Sequence, residues 1–399
     1  MTEGAVAGGT TGSGATRGTA GPGGVPGARA QVSEGLRRHG VDRATFTALA
    51  RARGGAGAVR LLRAGQLSKR TLLLVALRRA VPAPERDAFE RAYAEVCALQ
   101  RAERARWERL LLRPEFDAWA AGCLHRLAAG REAPLDRLAG FLREPGPVAV
   151  PVRLECDGLR WEPLIAEPGP YRELFGHPVG GPPTAAELDA WHGLLAGAWE
   201  VLVRRHRWHA EAVSACVSTL VPLRPAPDGS AVSAAARRAY GAVAASRPAE
   251  PVLLALALVH EFLHVQLGAL LDLVPLHRPN GAARYHAPWR PDPRPVGALL
   301  QGTYAHLGVT DFWRGELAAG APAQARAGRE HRRWRTHTGA AAATLLAGGE
   351  LTRAGAEFTR VLAEAAELGP DCSGGGGATA AERVDFAAEG AAAGPWSST

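Results

Sequence analysis

The chain has 399 residues, of which 47% are hydrophobic, so it can bury a core of substantial size. Its formal charge is +8, but Lys69 is the only lysine among 47 basic residues. Arginine, glycine and alanine are all abundant, which indicates that this bias comes from codon composition. Arginines also alternate with acidic residues along predicted helices, as in residues 101–113, which is typical of a solvated face. These features disfavour a nucleic-acid-binding function.

The cysteines and the hydropathy indicate the compartment. Five cysteines are scattered through the chain without a CxxC or CxxH pattern, which disfavours a disulfide framework and a cysteine zinc site. The longest apolar runs, Leu72–Leu77 and Val252–Val259, are too short to cross a membrane. No basic segment followed by an apolar run stands at the N-terminus. We therefore expect a cytoplasmic protein with reduced thiols and no membrane contact.

Both ends of the chain have a composition that does not fold. Residues 1–30 and 370–399 consist mainly of Gly, Ala, Ser and Thr, which cannot bury enough apolar surface to become ordered. The expected organisation is therefore two disordered tails around a helical region at 31–145 and a metal-binding domain at 146–369.

The region from Val32 to Leu127 has the apolar spacing of successive amphipathic helices. Plausible N-caps are Ser33, Asp42 and Ser68, and plausible helix ends are Gly40, Gly54 and Gly65. None of these helices carries a pattern of residues that indicates chemistry.

The spacing of the apolar residues along the chain changes after residue 146. Short apolar and β-branched runs flank Asp157-Gly158, which predicts a small antiparallel hairpin. A capping-box pattern at Thr184 then starts a helix that we expect to run from Glu187 to Trp208. Residues 214–246 predict two strands around a short helix, directly before the most informative segment of the chain.

That segment is Pro251–Val274, an apolar helix that contains the pattern HExxH. His260 and His264 are one helical turn apart, so both imidazoles lie on one face and can bind one metal ion. Glu261 lies roughly 100° around the helix, where it can act as a ligand or as a base for bound water. Because unpaired polar groups in such a helix cost several kcal/mol to bury, roughly, we predict a metal site here.

A metal site with open positions needs a third protein ligand. The loop after the metal helix is rich in Pro and Arg, and a second apolar helix is predicted from Val296 to Arg314. The candidates for the third ligand are His277, His286, Gln301, His306 and Glu316. We favour His306, which lies in the apolar helix. His277 and His286 fall in the polar loop, and Glu316 follows a turn that we expect to be exposed.

Zinc peptidases are the first alternative to weigh, because many contain HExxH. The metzincin pattern has Gly and His at fixed places after the second His, whereas here Gly268 is one place late and no His follows. Glu316 fits the gluzincin pattern poorly, and Gly302-Thr303 with Asp311 matches the aspzincin pattern only loosely. A zinc metallopeptidase therefore stays as the alternative, and a non-catalytic metal-binding module as a second one.

Three motifs carry a resemblance to a known family. HEFLH at 260–264, YHAPWRPDPRP at 285–295 and GALLQGTYAHLGVTDFW at 297–313 resemble, in order and spacing, the HExxH motif domain of bacterial peptide-modification systems. The resemblance covers roughly Glu187 to Ala340 and lacks the CxxxCxxC run of a radical-SAM module. Many relatives have Leu-His-Gly where this chain has Leu300-Gln301-Gly302, which leaves the third ligand open between positions 301 and 306.

The resemblance implies a function, because members of this family are described as iron- and 2-oxoglutarate-dependent peptide β-hydroxylases. We expect His260, His264 and His306 to bind the metal, which is Fe(II) by the resemblance and Zn in the peptidase alternative, with Glu261 as a catalytic residue. The far carboxylate of 2-oxoglutarate needs a cation, for which Arg290 and Arg294 are the candidates. The substrate would be a ribosomally made precursor peptide. The expected fold is mainly α-helical with a minor antiparallel β element and a buried metal helix.

Overall fold

The computed structural model describes residues 39–143, 149–166, 174–177, 181–279, 281–320 and 324–368. Both predicted tails, the predicted cap Ser33 and the predicted boundary between residues 145 and 146 lie outside these ranges. The described part is mainly α-helical with a small amount of β-structure, as predicted. Its helices and strands pack in one compact unit, in which α2 (Gly55–Ala80) contacts α9 (Pro251–Leu271), the helix that contains the HExxH motif.

Residues 39–143 of the N-terminal region form six helices: α1 Arg43–Ala50, α2 Gly55–Ala80, α3 Ala83–Ala102, α4 Arg104–Leu111, α5 Pro114–Ala128 and α6 Arg137–Leu142. Asp42 caps α1 as predicted, since its carboxylate accepts from the Thr45 amide at 2.8 Å. The predicted end at Gly65 and new start at Ser68 are wrong, because α2 continues through both. Gly65 serves close packing instead: a Cβ there would lie 2.9 Å from Leu273 Cδ2, beyond the end of α9.

In the ranges that the structure describes, the β-structure consists of a hairpin and a five-stranded sheet. Asp157 and Gly158 form the predicted hairpin turn with φ of 42° and 75°, which joins β2 to β3. The sheet has the order β1-β4-β5-β7-β6, antiparallel at both edges and parallel in the middle. The strands are β1 Ala149–Pro151, β2 Leu154–Cys156, β3 Leu159–Trp161, β4 Leu164–Ala166, β5 Thr219–Pro222, β6 Ser233–Ala235 and β7 Ala242–Ala245.

Two local predictions in this part are wrong, each because of a long-range contact. The short helix expected between β5 and β7 is strand β6, since Ser233–Ala235 pairs with β7 and the ladder outweighs the local preference of alanine for helix. The helix expected to reach Trp208 is two helices, α7 (Ala185–Arg205) and α8 (Arg207–Cys216). They separate at His206, whose Nε2 lies 2.8 Å from Glu316 Oε1.

Helix α9, which contains the HExxH motif, and the next helix form the centre of the fold. Helix α9 is long and apolar enough to cross a membrane by composition, but 67% of its apolar window is buried inside the protein, as in a core helix. Helix α10 (Val296–Ala318) runs longer than predicted and packs on α9, where a Cβ at Gly308 would overlap Leu263. Helices α11 (Gln324–Ala347) and α12 (Arg353–Leu368) cover α10 from the other side.

Candidate metal centre

The two histidines of the HExxH motif point at a common position. His260 Nε2 and His264 Nε2 lie 3.2 Å apart, with their rings in a T-shaped arrangement. Two imidazole nitrogens bound to one ion at about 2.1 Å each are about 3 Å apart. The helical spacing therefore brings two donor atoms to the separation that a shared metal ion requires.

Gln301 fixes the proton of one of these rings. Its side-chain oxygen Oε1 lies 3.2 Å from His264 Nδ1. An amide oxygen only accepts, so Nδ1 carries the proton and Nε2 keeps its lone pair toward His260. Gln301, weighed from the sequence as a ligand, thus contacts the ring nitrogen that faces away from His260.

His306 lies beside the pair on α10. Its Nδ1 donates to the Gly302 carbonyl at 2.7 Å, which leaves Nε2 unprotonated. The imidazole is sandwiched between Trp289 and Trp334, with ring centroids at 4.2 and 4.3 Å. Its own centroid is 5.0 Å from that of His260. The two indoles hold the plane of the His306 ring close to the other two histidines.

Burial keeps all three imidazoles neutral. It lowers the pKa of His260 well below its usual range, and the neighbouring His264 and His306 add to this. Burial also lowers the pKa of His264, against the hydrogen bond with Gln301, and lowers the pKa of His306 to about 3. Neutral imidazole is the form that binds metal.

The third donor is close to the pair but does not complete a ready-made site. Across the described ranges of the chain, no group of three or more His, Cys, Asp and Glu side chains is arranged to hold a metal ion as it stands. The donor separation in the His260–His264 pair and the proton positions on His264 and His306 fit a metal ion. A three-histidine site would require the His306 ring to shift toward the pair.

Glu261 lies off the face that carries the two histidines. It is buried, its Oε1 accepts from Ser233 Oγ at 2.7 Å, and the same oxygen is 4.0 Å from His260 Nε2. Burial raises the pKa of Glu261 to about 7, although the Ser233 hydrogen bond opposes this rise. The carboxyl group can therefore exchange a proton near neutral pH, from a position beside the His260 ring.

The histidines open into a cleft of about 270 Å³, which we call the metal cleft. Its lining residues are His260, His264, Ala287, Trp289, Arg290, Arg294, Ala298, Leu299, Gly302 and His306. Arg290 and Arg294, the predicted cofactor-binding residues, thus line the same cleft as the histidines. Asp292 joins them: Arg290 Nε donates to one of its oxygens at 2.7 Å, and Arg294 Nε lies 2.8 Å from the other. The Arg294 contact is an ion pair whose angle does not make a hydrogen bond.

The other ligand candidates lie elsewhere. His277 is part of a β-bridge with Leu351, and His286 is exposed in the loop. Glu316 was expected after an exposed turn, but it is buried within α10, where its carboxylate binds His206 and Arg205. None of these three candidates lines the metal cleft.

Several site residues gave no usable signal in the sequence. Ser233 comes from strand β6 and Trp334 from α11, each about 30 residues from the motif that it contacts, so only the packing of the elements brings them there. Trp289 is the exception, because an aromatic residue within the PWRPDPRP loop is a signal that the sequence did contain.

No family model matches this chain, and no curated protein is significantly similar to it.

Proposed function

We propose that the protein is a metal-dependent hydroxylase of a ribosomally made peptide, with Fe(II) and 2-oxoglutarate as cofactors. The observation that carries the proposal is the 3.2 Å separation of His260 Nε2 and His264 Nε2 in a cleft that also contains the guanidinium groups of Arg290 and Arg294. A metal-binding pair beside a carboxylate-binding pair is what a keto-acid cosubstrate requires. The three motifs that resemble the hydroxylase family support the same assignment.

His260 and His264 would hold the metal through Nε2, and His306 would be the third ligand. When bound, iron with 2-oxoglutarate supplies the oxidising chemistry that inserts an oxygen atom into a C–H bond. The role of the protein is to orient the ligands: Gln301 keeps the proton on His264 Nδ1, and the indoles of Trp289 and Trp334 hold His306.

Arg290 and Arg294 would bind the far carboxylate of 2-oxoglutarate. Asp292 engages the Nε atom of each. The terminal nitrogens of both guanidiniums have no ion-pair partner elsewhere in the described part of the chain. Two planar guanidiniums can then receive a carboxylate in a fork.

The position of Glu261 favours hydroxylation over peptide hydrolysis. A peptidase of the HExxH type uses this carboxylate as the general base on metal-bound water. Here Glu261 is bonded to Ser233 and does not line the metal cleft. Glu261 would instead act through His260, whose Nε2 lies 4.0 Å from its Oε1, as a positioning residue.

The proposal is tested by metal analysis and turnover. Protein purified without oxygen should contain one equivalent of iron, and with 2-oxoglutarate, oxygen and a precursor peptide it should yield succinate and a peptide heavier by one oxygen atom. Bound zinc with cleavage of the peptide under nitrogen would identify a metallopeptidase instead. Retained metal with neither reaction would identify a binding module.

The proposed setting is the cytoplasm, where thiols are reduced and a precursor peptide is accessible. Helix α9 is buried as a core helix, and the four cysteines in the described ranges are free, namely Cys97, Cys123, Cys156 and Cys216. We propose that the precursor peptide is the binding partner and that the protein binds neither nucleic acid nor a membrane.

A further inference from the structure

Asp292 lies between the two arginines that line the metal cleft. Arg290 Nε donates to its Oδ1 at 2.7 Å, and Arg294 Nε forms an ion pair with its Oδ2 at 2.8 Å. Ion pairs on the helical surface join one arginine to one acid a single turn away, as Arg104 does with Glu108. One carboxylate between two guanidiniums of the same cleft is a different arrangement, because it fixes the two guanidiniums relative to each other.

The backbone that carries these three charged residues is restrained. Pro291 and Pro293 stand on either side of Asp292, and the ring of each proline fixes its own φ. Two backbone hydrogen bonds of 2.8 Å between Tyr285 and Arg294 close the base of the loop. The freedom that remains is the rotation of the long arginine side chains, and the contacts with Asp292 restrict it.

The contacts of Asp292 affect orientation more than stability. The side chains of Asp292, Arg290 and Arg294 are 49%, 39% and 30% exposed, and ion pairs with such exposure add little to the stability of a fold. A guanidinium that rotates freely must become ordered when it binds a ligand, which weakens the binding. A contact through Nε orders the side chain beforehand and leaves the other N–H donors of the guanidinium for a ligand.

We propose that Asp292 is a positioning residue, which holds the guanidiniums of Arg290 and Arg294 as one fork for a carboxylate of a small ligand. Asp292 acts on the ligand only through the two arginines. The assignment of this carboxylate to the far end of 2-oxoglutarate rests on the proposed function, whereas the fork itself does not.

Charge and orientation predict opposite effects of removing Asp292. A carboxylate beside a site for anions repels the ligand, so its removal would tighten binding if charge were its main effect. Its removal weakens binding if its main effect is to hold the two guanidiniums in place. The direction of the change in affinity therefore distinguishes a positioning residue from a local negative charge.

The test measures the affinity of glutarate for the full chain at low salt by ligand-observed NMR titration, without metal, 2-oxoglutarate or oxygen. Asp292→Asn keeps the shape of the side chain but puts an amide group, which donates, where an arginine Nε needs an acceptor. It should weaken binding by about tenfold, the cost of ordering two arginine side chains. Asp292→Glu keeps the charge and both acceptors, so it should restore part of this loss.

Three controls accompany this measurement. Asp189→Asn makes the same change of net charge at an exposed position of α7 and should change the affinity by less than about twofold. Arg290→Ala and Arg294→Ala should each weaken binding more than Asp292→Asn does, which locates glutarate at the fork. Glutaramide, which has no carboxylate, should not bind. The urea midpoint of Asp292→Asn should stay close to that of the wild type, because the ion pairs are exposed.

Tighter binding of glutarate by Asp292→Asn would show that Asp292 repels the ligand, and it would overturn the proposal. An unchanged affinity, no binding by the wild type, or binding that survives both arginine substitutions would overturn it as well. A clear fall in the urea midpoint would assign Asp292 a structural role instead. Because the assay contains neither metal nor keto acid, a failure of the hydroxylase assignment leaves its result unaffected, and the reverse also holds.

Discussion

Two groups of histidines, each buried or half-buried, contact helix α10, and they are built in opposite ways. His206 bonds Glu316, which also binds Arg205. His209 Nε2 lies 2.9 Å from Asp311 Oδ2, and Arg53 donates to the other oxygen of the same carboxylate. In this group, each imidazole has a carboxylate and each carboxylate has a guanidinium.

The group formed by His260, His264 and His306 has no such compensation. The nearest carboxylate, Glu261, is 4.0 Å from His260 and is bonded to Ser233. The imidazoles face one another, so burial and mutual proximity both act against their charged forms. The fold pairs His206 and His209 with carboxylates but brings His260, His264 and His306 together without one. Stability alone does not explain this arrangement, and it supports the proposed metal site.

The largest expected effect is on stability, and it separates the two groups. His209→Leu should lower the free energy of unfolding by about 3 kcal/mol, because Asp311 loses a buried partner. His264→Leu should change it by less than about 1 kcal/mol in metal-free protein, since no ionic partner is left behind. Urea unfolding of both variants measures this. Equal losses would remove the distinction between the groups.

The next effect is on metal binding. His260→Ala should weaken metal binding by more than about 100-fold, because removing a ligand costs more than disturbing the residues that support it. His206→Ala is the matched control, a buried histidine outside the cleft, and should retain its metal. Metal content after purification without oxygen, followed by competition with a chelator, gives both values. Full occupancy in His260→Ala would refute the metal site.

The third effect is a loss of stability at low pH, and it concerns only the group in which His209 pairs with Asp311. Burial would raise the pKa of Asp311, but the hydrogen bond and charge of His209, with Arg53 and Arg314, lower it to about 2. A carboxylate with a lowered folded-state pKa stabilises the protein above its unfolded value of 3.8. This contribution, about 2 kcal/mol, should be lost as the pH falls from about 4 to about 2. The difference in urea midpoint between wild type and Asp311→Asn should therefore shrink over this range, and a constant difference would contradict the assignment.

The sequence predicts the elements whose signals are local. The turn at Asp157-Gly158, the cap at Asp42 and the apolar helix around His260 all follow from spacing and from residue type within one or two turns. The different positions of Gln301 and His306 around α10 also follow, because five residues on a helix separate two side chains by about 140°.

The sequence does not predict what depends on distant partners. Gly65 has the residue type of a helix end, but its packing against Leu273 needs the position of a segment 200 residues away. The buried position of Glu316 and the break between α7 and α8 at His206 depend on one contact between these two side chains. Neither can be predicted from the sequence unless that contact is known. The sandwich of His306 likewise depends on Trp334, from a helix that the motif does not include.

The smallest expected effect concerns Gln301. It tests whether this residue supports the group formed by His260, His264 and His306. Gln301→Leu removes the acceptor for His264 Nδ1–H, so the ring can turn or move its proton to Nε2, the atom that would bind the metal. Metal binding should weaken by about tenfold and not be abolished, as for other residues that orient a ligand. Gln301→Glu keeps an acceptor at the same position and should bind metal at least as well as wild type. Metal titration of both variants supplies the comparison.

His306→Ala provides the contrast for this prediction, because His306 would be a ligand itself, whereas Gln301 only orients one. Its loss should exceed about 100-fold, well beyond that of Gln301→Leu. The reverse order, in which His306→Ala keeps its metal and Gln301→Ala loses it, would show that position 301 supplies the third ligand. The 3.2 Å contact from Gln301 to His264 argues against that order, since Gln301 Oε1 meets Nδ1 on the side of the ring away from His260.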